Sequence, residues 1–130
     1  MMSATIPLNS GNTAWMIMAT ILVLLMTIPG IALFYGGLVR RKNMLSVIMQ
    51  SLTIVAVISL IWVAFGYSFA FGSGFDGSLF KYGIGGFDKT MLKGINLNTM
   101  TTGGIPELLF AMFQCMFAVI TPALILGAFA

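Results

Sequence analysis

The stretch TIPGIALFYGGLVRRKN, residues 27–43, decides the fold because it joins an apolar segment broken by a proline to a dense cationic cluster. Residues 1–39 and 43–75 carry no charged side chain, so Arg40, Arg41 and Lys42 separate two uncharged runs. Each run exceeds the roughly 20 apolar residues that span a bilayer as a helix. Short loops rich in Lys and Arg stay on the cytoplasmic side. The stretch therefore predicts a helical hairpin with a cytoplasmic basic turn and an outside N-terminus.

The composition of the whole chain indicates an integral membrane protein. The 130 residues are 59% hydrophobic and 7% charged, with a mean hydropathy of +1.06, whereas soluble domains carry about 25% charged residues. The net charge is +3, and half of the six basic residues form the cluster in the hairpin turn. This basic balance therefore indicates the orientation in the membrane and does not favour a nucleic-acid partner. The single cysteine, Cys115, is expected to be a small packing residue.

The order of apolar segments predicts an all-α, polytopic membrane protein. Transmembrane helices are expected over about residues 12–39, 43–71 and 104–130, with an external loop over 72–103, and residues 1–130 are expected to be part of one membrane domain. The chain ends within apolar sequence, without the charges that usually anchor a helix end at the interface. We therefore expect it to be part of a longer protein.

Several residues mark the ends and the break of these helices. Asn12 or Thr13 suits the N-cap of the first helix, because its side-chain oxygen can accept a backbone N–H. Pro29 cannot donate to the helical ladder and crowds the carbonyl four residues before it, so it predicts a kink. Trp15 and Tyr67 are expected at the outer interface, where amphipathic rings favour the headgroup level.

The second predicted helix carries a polar face, and the third carries a mainly aromatic one. Ser46, Gln50 and Thr53 share one face of the second helix and are expected to point into the bundle, where such groups more often join helices than bind ligands. The third helix places three rings, an amide and a hydroxyl on one face, namely Phe110, Phe113, Gln114, Phe117 and Thr121. That face is open to two interpretations, packing or a gate.

The chemistry available within the spans is limited to neutral groups. The sequence contains no histidine, and no charged residue lies within the apolar spans, so an intramembrane proton relay, a conventional metal site and acid-base enzymology are not expected, nor is a cofactor. The rings and polar spots suit a pore for a small neutral species. A cation gains about 2 kcal/mol over a desolvated ring, whereas stripping an ion of water costs tens of kcal/mol. Rings can therefore recruit a cation but cannot carry it through.

The sequence resembles the N-terminal part of the ammonium transporter family, the Amt and Rh channels. Residues 27–43 are similar to the family's first-helix signature almost residue by residue. The remaining similarity covers nearly the whole chain except the external loop, and its motifs are NTAW at 12–15, LS at 45–46, W at 62, FGYSFAFG at 65–72, FQ at 113–114 and FAVIT at 117–121.

The resemblance implies an eleven-helix fold with two inverted halves, assembled as a homotrimer with one pore per subunit. It implies that ammonium is recruited outside at an aromatic site and that ammonia passes along a hydrophobic pore. Phe117 matches an outer gate ring, Phe113 lies one turn below it with Gln114 beside it, and Phe34 and Tyr35 match residues near the inner pore. A PII-type signalling protein is the implied cytoplasmic partner.

Three alternatives remain open from the sequence. An ammonium sensor, in which an Amt-like membrane domain is fused to a signalling module, would look alike in these residues. A methionine-based copper transporter is suggested by three spans and the pair Met112 and Met116, because thioethers suit Cu(I). A purely structural membrane subunit would tolerate alanine at Phe113 and Phe117.

Overall fold

Three long apolar helical segments dominate the fold. A computed structural model of the protein describes residues 6–73 and 83–129; positions 1–5, 74–82 and 130, which include Asp76 and Lys81 of the expected external loop, lie outside that description. The segments run over Ser10–Leu38, Arg41–Phe71 and Glu107–Phe129, and contain 29, 31 and 23 residues. Each is long and apolar enough to cross a membrane. The predicted all-α membrane architecture is confirmed.

The first segment is two helices joined by a wide turn. Helix α1 spans Ser10–Leu25, a π-helical turn spans Met26–Ile31, and helix α2 spans Ala32–Leu38. Ile28 leaves the helical region, with φ −127° and ψ 112°. The residue before a proline is pushed towards extended backbone by the proline ring, and Pro29 follows it here. The predicted kink at Pro29 is therefore confirmed.

Helix α1 begins earlier than expected. The N-cap is Asn9, whose side-chain oxygen accepts the backbone N–H of Asn12 at 3.0 Å, so the prediction of Asn12 or Thr13 was wrong. The amide of Asn12 instead donates to the carbonyl of Gly103 at 3.0 Å, and the backbone N–H of Asn9 donates to Gly104 at 2.9 Å. Gly104 has φ +71° and would bring a Cβ to 2.7 Å from the carbonyl oxygen of Pro7. Glycine there permits the close contact between α1 and the loop.

The second segment begins directly after the basic turn. A 3₁₀ turn spans Arg41–Asn43, helix α3 spans Met44–Ile61, a π-helical turn spans Trp62–Gly66, and helix α4 spans Tyr67–Phe71. Helix α2 packs against α3, as expected for a hairpin. The three cations of the turn are exposed. Their cytoplasmic orientation stays a prediction.

The third segment is the centre of the packing. Helix α5, Glu107–Phe129, packs against both α1 and α3. Ile120 is buried, and four smaller buried side chains recur every four residues, which lets membrane helices approach closely; they are Ala111, Cys115, Val119 and Ala123. Cys115 is 6% exposed, in agreement with its expected packing role.

Candidate functional site

Two phenylalanines form an edge-to-face pair on α5. The ring centroids of Phe113 and Phe117 lie 5.2 Å apart at an interplanar angle of 76°. One helical turn separates them in sequence, so the geometry follows from the i, i+4 spacing. Phe113 is half-buried, whereas Phe117 is 43% exposed. Phe117 therefore offers an open ring on a face without charged side chains.

The predicted inner residues lie next to each other at the junction of α2 and α5. The ring centroids of Phe34 and Tyr35 are 5.4 Å apart. The Tyr35 hydroxyl donates to the carbonyl oxygen of Leu124 at 3.1 Å, and its ring lies against Gly127. Phe34 is exposed, and Tyr35 is half-buried. Tyr35 is thereby held to α5, whereas Phe34 presents its ring outward.

Helix α5 aligns the two predicted groups along one face. Leu124 follows Phe117 by seven residues, which is nearly two full turns, so both lie on the same side of the helix. The rise along the axis between them is about 10 Å. The contact of Tyr35 with Leu124 therefore falls below the phenylalanine pair on that side. The sequence-based site residues form an upper and a lower aromatic group along α5.

The polar face of α3 borders a pocket next to α5. Ser46, Gln50 and Thr53 are exposed in this chain, and they line a pocket to which Leu126 of α5 also contributes. The Thr53 hydroxyl donates to the Met49 carbonyl of its own helix at 2.8 Å. The inward orientation of the three side chains in the complete bundle stays a prediction. Gln114, in contrast, is half-buried beside the phenylalanine pair.

A charged cluster at the N-terminal end of α5 was missed by the sequence analysis. Lys89 Nζ lies 2.6 Å from Glu107 Oε1, and the Tyr67 hydroxyl donates to the same oxygen at 3.0 Å. The ammonium group also lies 5.7 Å from the centroid of the Tyr67 ring. Tyr67 is 1% exposed, so its ring is buried in the protein, and its expected place at the outer membrane interface stays a prediction. The Glu107 carboxylate, 40 residues later in sequence, accepts a hydrogen bond from the Tyr67 hydroxyl inside the protein.

The loop that carries Lys89 is fixed by hydrogen bonds to the end of the second segment. The buried Ser68 hydroxyl donates to the Gly86 carbonyl at 2.6 Å and accepts the Lys89 backbone N–H at 3.0 Å. Asp88 accepts both the backbone N–H and the hydroxyl of Ser73, at 3.1 and 3.0 Å. These bonds, chiefly the backbone one, lower the pKa of Asp88 below its usual value. The position of Lys89 is thus set by the hydrogen bond from its backbone N–H to the Ser68 hydroxyl.

Aromatic rings connect this charged cluster to α5. Ring centroids lie 5.9 Å apart for Trp62 and Tyr67, 5.2 Å for Tyr67 and Phe71, and 5.1 Å for Phe71 and Phe110. The Trp62 indole N–H donates to the Ala111 carbonyl at 3.0 Å. The sequence pattern placed Phe110 on the face of Phe113 and Phe117, whereas the structure packs its ring against the second segment.

A cavity of about 310 Å³ lies between the second and third segments, and its lining includes Ser59, Trp62, Met112, Cys115 and Met116. Cys115 Sγ lies 3.8 Å from Ser59 Oγ. The methionine pair of the copper alternative therefore faces a mainly apolar space. Among residues 6–73 and 83–129, no group of three or more His, Cys, Asp or Glu side chains is placed to hold a metal ion.

The fold and these residues define a polytopic helical membrane protein whose spans present aromatic and uncharged polar faces. A sequence profile described as the Ammonium Transporter Family matches residues 14–130. The chain belongs to the ammonium transporter family, which confirms the resemblance seen in its motifs.

Relatives from distant organisms support this assignment. The chain is 48% identical over 125 residues to an ammonium transporter of Aquifex aeolicus, covering 94% of this chain and 28% of that protein. It is 46% identical over 124 residues to one of Bacillus subtilis, covering 95% and 29%. It is 42% identical over 124 residues to ammonium transporter 1 of Dictyostelium discoideum, covering 94% and 26%. The chain therefore spans less than a third of the length of these relatives.

Proposed function

We propose that this chain is the outer-gate part of a membrane channel that recruits ammonium and conducts ammonia. The observation that carries the proposal is the edge-to-face pair of Phe113 and Phe117, with the Phe117 ring 43% exposed on an uncharged face of α5. The relatives named ammonium transporters support the choice of substrate. Family membership also favours this function over the copper alternative.

The energetics allow the ring to attract the charged ammonium ion and the pore to conduct only uncharged ammonia. Phe117 attracts the ammonium ion by cation–π interaction worth about 2 kcal/mol, and Gln114 lies beside the ring pair to offer hydrogen bonds. Desolvating the ion would cost tens of kcal/mol. Ammonia carries no charge, so it crosses the hydrophobic path after ammonium has given its proton to water on the outer side. Phe34 and Tyr35 line the inner part of that path.

Much of each span stays exposed in this chain, so further helices are needed to enclose a pore. Exposed apolar side chains occur on all three segments, among them Leu22, Leu60 and Leu124. The proposed complete protein has eleven helices in two inverted halves and forms a homotrimer in the plasma membrane. Its N-terminus lies outside, its basic turn lies in the cytoplasm, and a PII-type signalling protein binds that side.

Uptake of radiolabelled methylammonium by cells expressing the protein tests the proposal. Phe117→Ala removes the exposed ring and should lower uptake at limiting substrate several-fold, because about 2 kcal/mol of cation attraction corresponds to roughly 30-fold in affinity at most. Phe129→Ala, which removes an exposed ring elsewhere on α5, is the matched control and should leave uptake unchanged. Equal uptake by the Phe117 variant and the unaltered protein would support a structural subunit, and binding without flux would support the sensor.

A further inference from the structure

The charged cluster of Lys89, Glu107 and Tyr67 contains the groups of a cation site, and the Lys89 ammonium group already occupies it. Lys89 presents an ammonium group to a carboxylate oxygen at 2.6 Å and to an aromatic ring at 5.7 Å. The same Glu107 oxygen accepts the Tyr67 hydroxyl at 3.0 Å, which orients the carboxylate. A carboxylate and a ring face are the groups that attract a free ammonium-type cation.

The partial burial of Glu107 favours a cation at this position. Its side chain is 14% exposed, whereas that of Lys89 is 30% exposed. A partly buried carboxylate that loses its partner keeps its desolvation cost without compensation. The ring of Tyr67 and its neighbours Trp62 and Phe71 add apolar walls on one side. A vacated site would therefore favour entry of another small cation.

We propose that Glu107 and Tyr67 form a second outer site for ammonium-type cations, which Lys89 occupies with its own ammonium group. The ligand class is a small cation with N–H donors, ammonium or methylammonium. The site is separate from the Phe113 and Phe117 pair, and binding there does not require the proposed pore. The Lys89 ammonium group, which the loop holds close by, competes with a free cation for Glu107 and Tyr67.

The attachment of Lys89 to the loop determines the concentration at which free ammonium can displace its side-chain ammonium group. The Lys89 backbone N–H is held by Ser68 Oγ at 3.0 Å, so the side chain remains within reach of the carboxylate. Tethered groups act at effective concentrations on the order of mM or higher. In the unaltered protein, free ammonium therefore competes only at comparable or higher concentrations, whereas a variant without the Lys89 ammonium group binds it more readily.

Chemical rescue of Lys89→Met tests the site in the purified protein. This variant keeps the aliphatic stem and removes the charge, and its Tm should fall because Glu107 loses its partner. Ammonium chloride at roughly 100 mM should raise that Tm by about 2 °C or more above sodium chloride at equal ionic strength, since a ligand that binds the folded state stabilises it. Tetramethylammonium chloride, which has the charge but no N–H donor, should rescue less.

Matched variants decide the outcome. Lys93→Met alters an exposed lysine of the same loop and should show no ammonium-specific rescue. Lys89→Met combined with Glu107→Gln should lose the rescue, because the carboxylate is gone. Equal Tm values in ammonium and sodium for Lys89→Met, or rescue that survives Glu107→Gln, overturns the proposal. Should Lys89→Met not fold, Lys89→Gln with fluorescence titration of Trp62 in a Trp15→Phe background gives the same comparison, and absence of an ammonium-specific change overturns it there.

The two proposals fail in different experiments. Loss of ammonium rescue with normal methylammonium uptake would remove the second site and leave the channel intact. Ammonium rescue in a protein without uptake would remove the channel and leave the site.

Discussion

The ring of Tyr35 occupies the space in which residue 127 would carry a side chain. A Cβ at residue 127 would overlap two atoms of that ring, Cζ and Cε1, and the hydroxyl oxygen. The Tyr35 hydroxyl donates to the Leu124 carbonyl one turn away on the same helix, at 3.1 Å. The absence of a side chain at residue 127 therefore permits α2 and α5 to meet through a tyrosine.

Gly127→Ala tests this contact. The added methyl group should displace the Tyr35 ring and break its bond to Leu124, and overpacking of this kind costs about 1–3 kcal/mol. Thermal unfolding in detergent should show the loss. Gly37→Ala is the control, since a Cβ there has no atom within 4 Å. Similar melting curves for the two variants would mean that Tyr35 can turn away at no cost.

Ser68→Ala should loosen the loop that carries Lys89. Ser68 is fully buried, and its hydroxyl joins Gly86 and Lys89, at 2.6 and 3.0 Å. Removing it leaves a carbonyl and an N–H without their partner, a loss of about 1–3 kcal/mol. Amide hydrogen exchange at Lys89 should become faster, whereas exposed Ser46→Ala should not change it. Unchanged exchange at Lys89 would show that other bonds hold the loop.

Thr27→Val should leave the stability of this chain unchanged or raise it by up to about 1 kcal/mol. Thr27 is 1% exposed, and its hydroxyl oxygen has no hydrogen-bond partner among residues 6–73 and 83–129. Burying such a hydroxyl costs free energy that valine of nearly the same shape avoids. Ser51→Ala is the opposite case, because that buried hydroxyl donates to Val47 at 3.0 Å. Destabilisation by Thr27→Val in denaturant unfolding would indicate that the Thr27 hydroxyl does have a hydrogen-bond partner.

The contact between Asp88 and Ser73 should weaken in acid. Hydrogen bonds, mainly from the Ser73 backbone N–H, hold the pKa of Asp88 below its usual value of 3.8. A carboxyl with a lowered folded-state pKa stabilises the fold fully above its ordinary pKa and loses that effect as pH falls through the lowered one. Protection of the Ser73 amide from hydrogen exchange should therefore fall below about pH 4. Asp88→Asn should remove this pH dependence, and its persistence would assign it to another group.

Local features of the chain could be predicted from the sequence because their causes are local. Apolar length fixes the three spans, and the missing N–H of Pro29 fixes the kink. The one-turn spacing of Phe113 and Phe117 brings their rings together on any α-helix. These results need no knowledge of which helices become neighbours.

Features that depend on distant residues could not be predicted in this way. Asn12 suits an N-cap by type, yet its amide binds Gly103, and Asn9 caps the helix instead. Tyr67 has the amphipathic ring of an interface residue, but Glu107 lies close enough to accept its hydroxyl. Periodicity shows that Ser46 and Gln50 share a face without showing which face α3 turns to α5.

The bonds from Asn9 and Asn12 to Gly104 and Gly103 also impose an order on biosynthesis. Asn12 and Gly103 are 91 residues apart. At about 5–20 residues per second, a ribosome needs roughly 5 to 18 s after Asn12 to synthesise its partner. During that interval the N-terminal end of the first helix has been synthesised but lacks the loop residues that bind it. These two hydrogen bonds can therefore form only after the glycine pair has been translated.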